Sequence, residues 1–375
     1  MLSKEEITRY NRHLILHGFG IESQKKLKLA KVLVIGAGGL GCPVLQYLAA
    51  AGVGEIGIID FDFVEDSNLQ RQVLFSVEDV GKLKTEVAAV KLAKQNPYVK
   101  LKDYPVRLLN KNALEIFPRY DVIIDGTDNF STRYLVNDAC VLLNKPLVYG
   151  AVYKFEGQVS VFNYTTEAPT YRCLFPVPPS AGSVANCSEI GVLGVLPGII
   201  GTLQATEAIK IITGIGEVLS GKIMLVDALA MNFSTVELIR NEDAWRNTAP
   251  ATTKEFLKTD YDFFCGNILA DSVLKKTTVS DLQKIIDNKY EIQLLDVREP
   301  HEHPQIDELK DLQIPLGEIK NHTTKISRTK KVIVFCKGGT RSKRAIELLE
   351  NKFGFTNLYN LEGGVLEWIK YYQLK

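Results

Sequence analysis

Lys31-Val-Leu-Val-Ile-Gly36-Ala37-Gly38-Gly39-Leu40-Gly41-Cys42 decides how the first half of this chain folds. The β-branched run predicts a strand, the glycines a tight turn, and the apolar residues 40–51 a helix. Glu55-Ile-Gly-Ile-Ile-Asp60 reads as a second buried strand ending on an acid. Strand, helix and strand in that order imply a parallel sheet. A glycine loop that leaves a strand and opens a helix lets backbone N–H groups face a phosphate. Asp60, about twenty residues on, is placed to accept ribose hydroxyls. The loop alone describes an NAD-dependent oxidoreductase equally well.

Working outward, Leu83, Val87 and Val90 fall at helical spacing, and Asn96-Pro97 ends that helix. Asp121-Val-Ile-Ile124 and Lys145-Pro-Leu-Val-Tyr149 are further strands. From Glu156 the pattern turns to antiparallel strands, at Gln158-Val-Ser-Val-Phe162 and Gly221-Lys-Ile-Met-Leu-Val226. Pro197 to Thr213 is a long apolar helix closed by Gly214. The stretch from Asn241 to about Ser272 is polar and without a period, which predicts a connection. A fresh alternation follows at Ile292-Gln-Leu-Leu-Asp296 and Lys331-Val-Ile-Val-Phe335, with a helix from about Ser342.

Length and composition bound the rest. At 375 residues the chain is too long for one ordinary core and suits two domains. A hydrophobic fraction of 46% and a charged fraction of 24% are those of a globular protein. A net charge of +1 gives no bulk field for nucleic acid or an anionic membrane. The first residues lack the apolar core of a secretory signal, and the longest apolar runs are broken by Gly, Pro and charge. Six scattered cysteines form no disulfide framework. A cytoplasmic protein with free thiols is the expectation.

The segment Asp66-Ser-Asn68-Leu-Gln-Arg71-Gln72, with Lys84 and Gly126-Thr-Asp128-Asn129, adds two cations, an amide and an acid. A redox pocket needs no such cluster, whereas a triphosphate does: Arg71 and Lys84 would neutralise phosphate charge, and Asp128 would hold magnesium. With these residues the stretch from Arg9-Tyr-Asn-Arg12 to Leu238 resembles the ubiquitin-activating-enzyme-like adenylyltransferases of sulfur carrier proteins, of the molybdopterin-synthase and thiamine pathways. The strings that carry the resemblance are Gly36-Ala-Gly-Gly-Leu-Gly-Cys42, Asp60-Phe-Asp62, Ser67-Asn-Leu-Gln-Arg-Gln72, Thr127-Asp-Asn129 and Gly150 with Glu156-Gly-Gln158.

The resemblance implies an ATP site built from Gly36, Gly38, Gly39, Gly41, Asp60, Asp62, Asn68, Arg71, Lys84, Asp128 and Asn129, with Mg2+ on Asp128. It implies that Arg12 reaches into the neighbouring subunit's site, hence a homodimer. The reaction implied is attack on the ATP α-phosphate by the terminal glycine carboxylate of a ubiquitin-like carrier ending in Gly-Gly. Cys187, in Ala185-Asn-Cys-Ser-Glu189, matches a position where relatives form a covalent link with the carrier. Relatives also hold a structural zinc on two Cys-x-x-Cys pairs. Here these read Thr170-Tyr-Arg-Cys173 and Asp262-Phe-Phe-Cys265, which predicts a lost site, since threonine is a poor zinc ligand. Cys42 and Cys140 sit among apolar helical residues and read as packing.

Cys336 ends a strand and heads Cys336-Lys-Gly-Gly339-Thr-Arg341-Ser342 before a helix. Backbone N–H groups, a helix N-terminus and Arg341 would favour its thiolate. This string, with Leu295-Asp-Val-Arg-Glu-Pro300 and Leu361-Glu-Gly-Gly-Val-Leu-Glu-Trp368, resembles the rhodanese active-site loop. The resemblance implies a persulfide on Cys336, loaded by a donor such as a cysteine desulfurase or thiosulfate; Asp296 and Arg298 read as structural braces rather than reactants. Pro304 to Pro315 lacks the usual Gly-His-Ile-Pro string.

The expected architecture is therefore α/β. A Rossmann-like, mostly parallel sheet with an antiparallel extension occupies residues 1–245, followed by a linker at 246–272. A smaller rhodanese-like α/β domain occupies 273–375. The expected catalytic residues are Arg71, Lys84, Asp128, Cys187 and Cys336. Three rivals stay open: the oxidoreductase, a scaffold that binds a ubiquitin-like protein without turnover, and thioester conjugation at Cys187.

Overall fold

The computed structural model describes residues 1–179, 191–243, 249–265 and 274–373. The chain divides into two compact units, Met1–Ile268 and Leu269–Lys375.

In the first unit eight strands form one sheet: β1 (Lys31–Ile35), β2 (Glu55–Ile59), β3 (Lys100–Tyr104), β4 (Val122–Asp125), β5 (Leu147–Tyr153), β6 (Glu156–Phe162), β7 (Lys222–Asp227) and β8 (Asn232–Glu237). Their spatial order is β3-β2-β1-β4-β5-β6-β7-β8. The pairs from β3 to β5 are parallel, and those from β5 to β8 are antiparallel. The chain steps outward from β1 to β3 and then returns to β4 on the other side of β1. That reversal opens a crevice at the carboxyl ends of β1 and β4, where open α/β sheets bind ligands.

Strand β1 is a continuous apolar run because both its faces are covered. Val32 and Val34 pack with Leu45, Leu48 and Ala205, whereas Leu33 and Ile35 pack with Tyr134, Leu135 and Tyr120. The helix Gly41–Ala51 ends on Gly52 at φ 83°, and Leu196–Thr213 ends on Gly214 at φ 78°.

The stretch expected to be a linker differs from that reading in its middle. Thr253–Lys258 and Tyr261–Phe264 are short helices, and Phe256 and Tyr261 are buried in the core of the first unit. Two aromatics among polar residues lack the regular spacing that sequence periodicity detects, yet suffice to dock a short segment. The anchor is ionic as well. Asp138 and Arg172, each with a side chain 1% exposed, form a two-pronged pair at 2.8 and 2.7 Å, and the Tyr261 hydroxyl donates to Asp138 at 2.7 Å. Burial, reinforced by the Asp138 charge, pushes the Tyr261 hydroxyl well up, so it stays a donor.

In the second unit β9 (Lys276–Thr277), β10 (Ile292–Asp296), β11 (Leu312–Gln313), β12 (Lys331–Phe335) and β13 (Leu358–Leu361) form a parallel sheet in the order β11-β10-β12-β13-β9. Val332 and Val334 pack on the helix Thr340–Phe353. Ile333 and Phe335 pack on Val279, Leu282, Val365 and Trp368.

Asp138→Asn would leave the buried Arg172 guanidinium without its counter-charge, a loss of about 3–5 kcal/mol. Amide hydrogen exchange on the full chain should show lost protection across 130–142 and unchanged protection in β12. Unchanged exchange at both sites would refute the anchor.

Candidate functional site

The crevice of the first unit is built around close backbone approaches. Gly36 follows β1 at φ 91°, and its N–H donates to the Ile59 carbonyl at the end of β2 at 2.8 Å. A Cβ on Gly36 would stand 2.8 Å from the Gly126 carbonyl oxygen, in the loop after β4. A Cβ on Gly41 would stand 1.9 Å from the Gly36 carbonyl oxygen. Gly36 and Gly41 are therefore glycines because backbone passes backbone. Gly38 is different: its nearest neighbour would be Gln72 Nε2 at 3.7 Å. That is an ordinary van der Waals distance, so no close approach requires glycine there.

Around this loop the structure gathers most of the residues singled out from sequence. Asp60 accepts the Ala37 N–H on Oδ2 and the Asp62 N–H on Oδ1, both at 2.8 Å. Burial pushes its carboxyl above the usual aspartate range, and the Lys84 charge resists that shift. Lys84 opens the helix Lys84–Gln95, is nearly buried, and reaches Asp62 Oδ2 at 3.3 Å. Arg71 Cγ would lie 3.7 Å from a Gly39 Cβ, and its Nη1 donates to the Ser67 carbonyl at 3.0 Å. Asn68 is buried, with Nδ2 3.4 Å from Ser67 Oγ.

The loop after β4 is set by Asp125, whose Oδ1 accepts both the N–H and the hydroxyl of Thr127. Asp128 next to it is exposed. Asn129, expected in the cofactor site, caps the helix Phe130–Leu142: its Oδ1 accepts the Thr132 N–H at 2.9 Å. An Asn followed by a helix has this use regardless of any ligand. Arg12 is exposed on the short helix Asn11–Leu14. Cys187 lies outside the described residues.

Two buried amides of this region are given no individual role by the sequence. Gln72 is 4% exposed beside Gly38, and its Oε1 has no partner in the structure. Gln204 is wholly buried and donates from Nε2 to the Asp125 carbonyl at 2.7 Å, tying the helix Leu196–Thr213 to the end of β4. Gly150 makes the room, since a Cβ there would stand 2.4 Å from Gln204 Cδ. Nothing in the sequence singles out Gln204, since the same helix also carries Thr202, Thr206, Glu207 and Lys210.

The residues left at the four zinc positions do not fit that metal. The Asp262 carboxylate is taken by Arg107 at 2.9 Å. Cys173 Sγ accepts the N–H groups of Thr170 and Asn241 at 3.4 and 3.3 Å. Burial pushes the Cys265 thiol up to about 12, against the thiolate a zinc requires. Among the described residues no group of three or more His, Cys, Asp or Glu could hold a metal. Cys42 and Cys140 are buried, and burial raises both thiols, the first to about 12.

In the second unit Cys336 directly follows β12. Its Sγ accepts the Gly339 N–H at 3.1 Å and lies 3.6 Å from the Ser342 hydroxyl, which itself stands 2.6 Å from Asn360 Oδ1. Gly339 turns at φ 93° into the helix Thr340–Phe353. From the far side the Cys336 carbonyl accepts the Val365 N–H at 2.9 Å, an approach open only because Gly364 has no Cβ, which would stand 2.2 Å from that oxygen. Asp296 and Arg298 form the expected brace, paired at 2.7 Å, with Arg298 Nη1 also on the Pro304 carbonyl at 2.9 Å. Arg341 departs from expectation: its guanidinium forms a two-pronged pair with Glu302, so its charge is matched before any ligand arrives.

Comparison with known proteins places these two sites. The model of the ThiF family matches residues 10–246, and that of the rhodanese-like domain matches residues 278–371. The chain belongs to the ThiF family. It is 43% identical to the "Probable adenylyltransferase/sulfurtransferase MoeZ" of Mycobacterium tuberculosis, over 99% of this chain and 95% of that protein. It is 52% identical to the "Sulfur carrier protein adenylyltransferase" of Thermus thermophilus, over 70% of this chain and 98% of that protein. Among solved structures, MccB of E. coli with ATP superposes with a TM-score of 0.57 at 27% identity, covering 64% of this chain and 73% of that one. With both domains and full-length relatives of both activities, this ThiF-family chain is a nucleotidyltransferase with sulfurtransferase activity. No described helix is long and apolar enough to cross a membrane.

The contrast between the glycines is testable. Gly36→Ala should cost about 2 kcal/mol or more through its left-handed backbone and the Gly126 clash. Gly38→Ala should change stability by less than about 0.5 kcal/mol. Denaturant titration reads both, and equal losses would refute the separation of packing glycines from an open loop.

Proposed function

We propose that this chain adenylylates the C-terminal glycine of a ubiquitin-like sulfur carrier and then replaces AMP with sulfur carried on Cys336. The observation that supports it most is the nearly buried Lys84, set beside Asp60 and Asp62 at the edge of an open glycine loop. The glycine loop would serve a dinucleotide's pyrophosphate as well, and it is the buried cation that favours a triphosphate.

In the first step a carboxylate oxygen of the carrier attacks the ATP α-phosphorus. The bond to the bridging oxygen breaks, and pyrophosphate leaves with the electron pair. The carboxylate is already ionised near neutral pH, so no general base is needed. Arg71 and Lys84 screen the approach of one anion to another, Asn68 contacts phosphate, and Asp60 accepts the ribose hydroxyls. The exposed carboxylate of Asp128 fits a magnesium ion, which would supply further charge neutralisation on the phosphates.

In the second step the outer sulfur of a Cys336 persulfide attacks the acyl carbon, and AMP leaves. The acyl disulfide that results is opened by a thiol attacking Cys336 Sγ. This releases the thiocarboxylate and leaves a disulfide for a cellular thiol to reduce. Cys187 is the candidate within the chain for a covalent link with the carrier. The carrier would serve molybdenum cofactor or thiamine synthesis. Arg12, exposed near the N-terminus, is the candidate for completing a second subunit's site in a homodimer.

Cys336→Ala should abolish the oxygen-for-sulfur mass gain of the carrier while sparing carrier-dependent ATP–pyrophosphate exchange, and loss of both together would contradict the division of labour. Protonation of Asp60 removes the charge that accepts the ribose hydroxyls. Its raised pKa places that loss at higher pH than for an unperturbed aspartate. Calorimetric ATP affinity should therefore fall as pH drops toward that range, and Asp60→Asn should bind weakly at every pH. A pH-independent affinity in the parent protein would exclude this role.

A further inference from the structure

Arg341 lies in the loop that encloses Cys336, at the first turn of the helix Thr340–Phe353. Its planar fork is the group best suited to a sulfonate or other oxyanion. That fork is filled. Glu302, on the loop that follows β10, takes both Nη1 and Nη2, the second at 2.7 Å, and the two side chains are 17% and 21% exposed. The carboxylate is itself fixed, because Glu302 Oε1 also accepts the Glu299 N–H at 2.8 Å, and Gln305 Nε2 holds the Glu302 carbonyl at 3.1 Å. The Arg341 hydrogen bonds keep the Glu302 carboxyl below the usual glutamate range, so it stays charged. An anionic donor entering this loop therefore meets an ion pair without net charge in place of a free cation.

We propose that Glu302 sets the donor specificity of the second site. By occupying the Arg341 fork it disfavours small oxyanion donors such as thiosulfate and favours a persulfide carried on a protein cysteine. This rests on Cys336 being the sulfur acceptor. With a protein persulfide, the Cys336 thiolate attacks the outer sulfur, the donor S–S bond breaks, and the donor cysteine leaves as thiolate. With thiosulfate the same attack expels sulfite, a dianion whose departure calls for a free cation beside the sulfur. Only the second route needs the fork that Glu302 fills.

The test uses the full-length protein and Glu302→Gln, which keeps the shape and removes the charge. Thiosulfate and a cysteine desulfurase supplied with cysteine serve as the two donors, with cyanide as acceptor. The ratio of kcat/KM for thiosulfate to that for the desulfurase should rise about tenfold or more, the worth of one charge-assisted hydrogen bond. The gain should come from KM and vanish in Glu302→Gln/Arg341→Gln. Alkylation by neutral iodoacetamide reports whether the loop around Cys336 is intact. An unchanged or lower ratio overturns the proposal, whether or not alkylation has slowed. So does a gain that survives removal of Arg341. Failure of both donors to add a sulfur to Cys336, read by mass, would overturn the acceptor role itself.

Discussion

Gly36 turns at φ 91° with the Gly126 carbonyl oxygen 2.8 Å from where a Cβ would stand, and the first site depends on that approach. It brings the loop after β1 against the loop after β4 where the strand order reverses. One loop carries Gly38, and the other carries Asp128. Asp60 ties the same turn to β2 through the Ala37 N–H, and Lys84 is drawn in behind it. A side chain at position 36 would part the loops and scatter this set, because the sheet below is close-packed on both faces and leaves little slack.

Cys336 obeys the same logic with different atoms. A buried parallel strand ends, a glycine with positive φ turns the chain, and a helix N-terminus follows. The paired glycines Gly363 and Gly364 let a second loop press on the Cys336 backbone. In both units a close-packed sheet fixes the strand ends, and glycines let the loops come near enough to work.

Much of this was legible in the sequence because it is local. A continuous apolar run into a glycine loop can only be a buried strand and a tight turn, so β1, β2, β10 and β12 fall where their residues placed them. The antiparallel extension showed itself in the change of period after Glu156. What escaped is what depends on partners distant in sequence. Phe256 and Tyr261 look like stray aromatics until Asp138, 123 residues from Tyr261, is set beside them. Gln204 is one polar residue of its helix among several until Asp125 and Gly150 surround it. Glu302 gave no sign that it would claim Arg341, 39 residues away.

The central claim is that the crevice beside Asp60 and Lys84 is shaped for a triphosphate. Isothermal titration of the full-length protein with MgATP and, separately, with NAD tests it most directly. Saturable binding of MgATP with none of NAD is the expected result. Saturable binding of NAD with none of MgATP would contradict it.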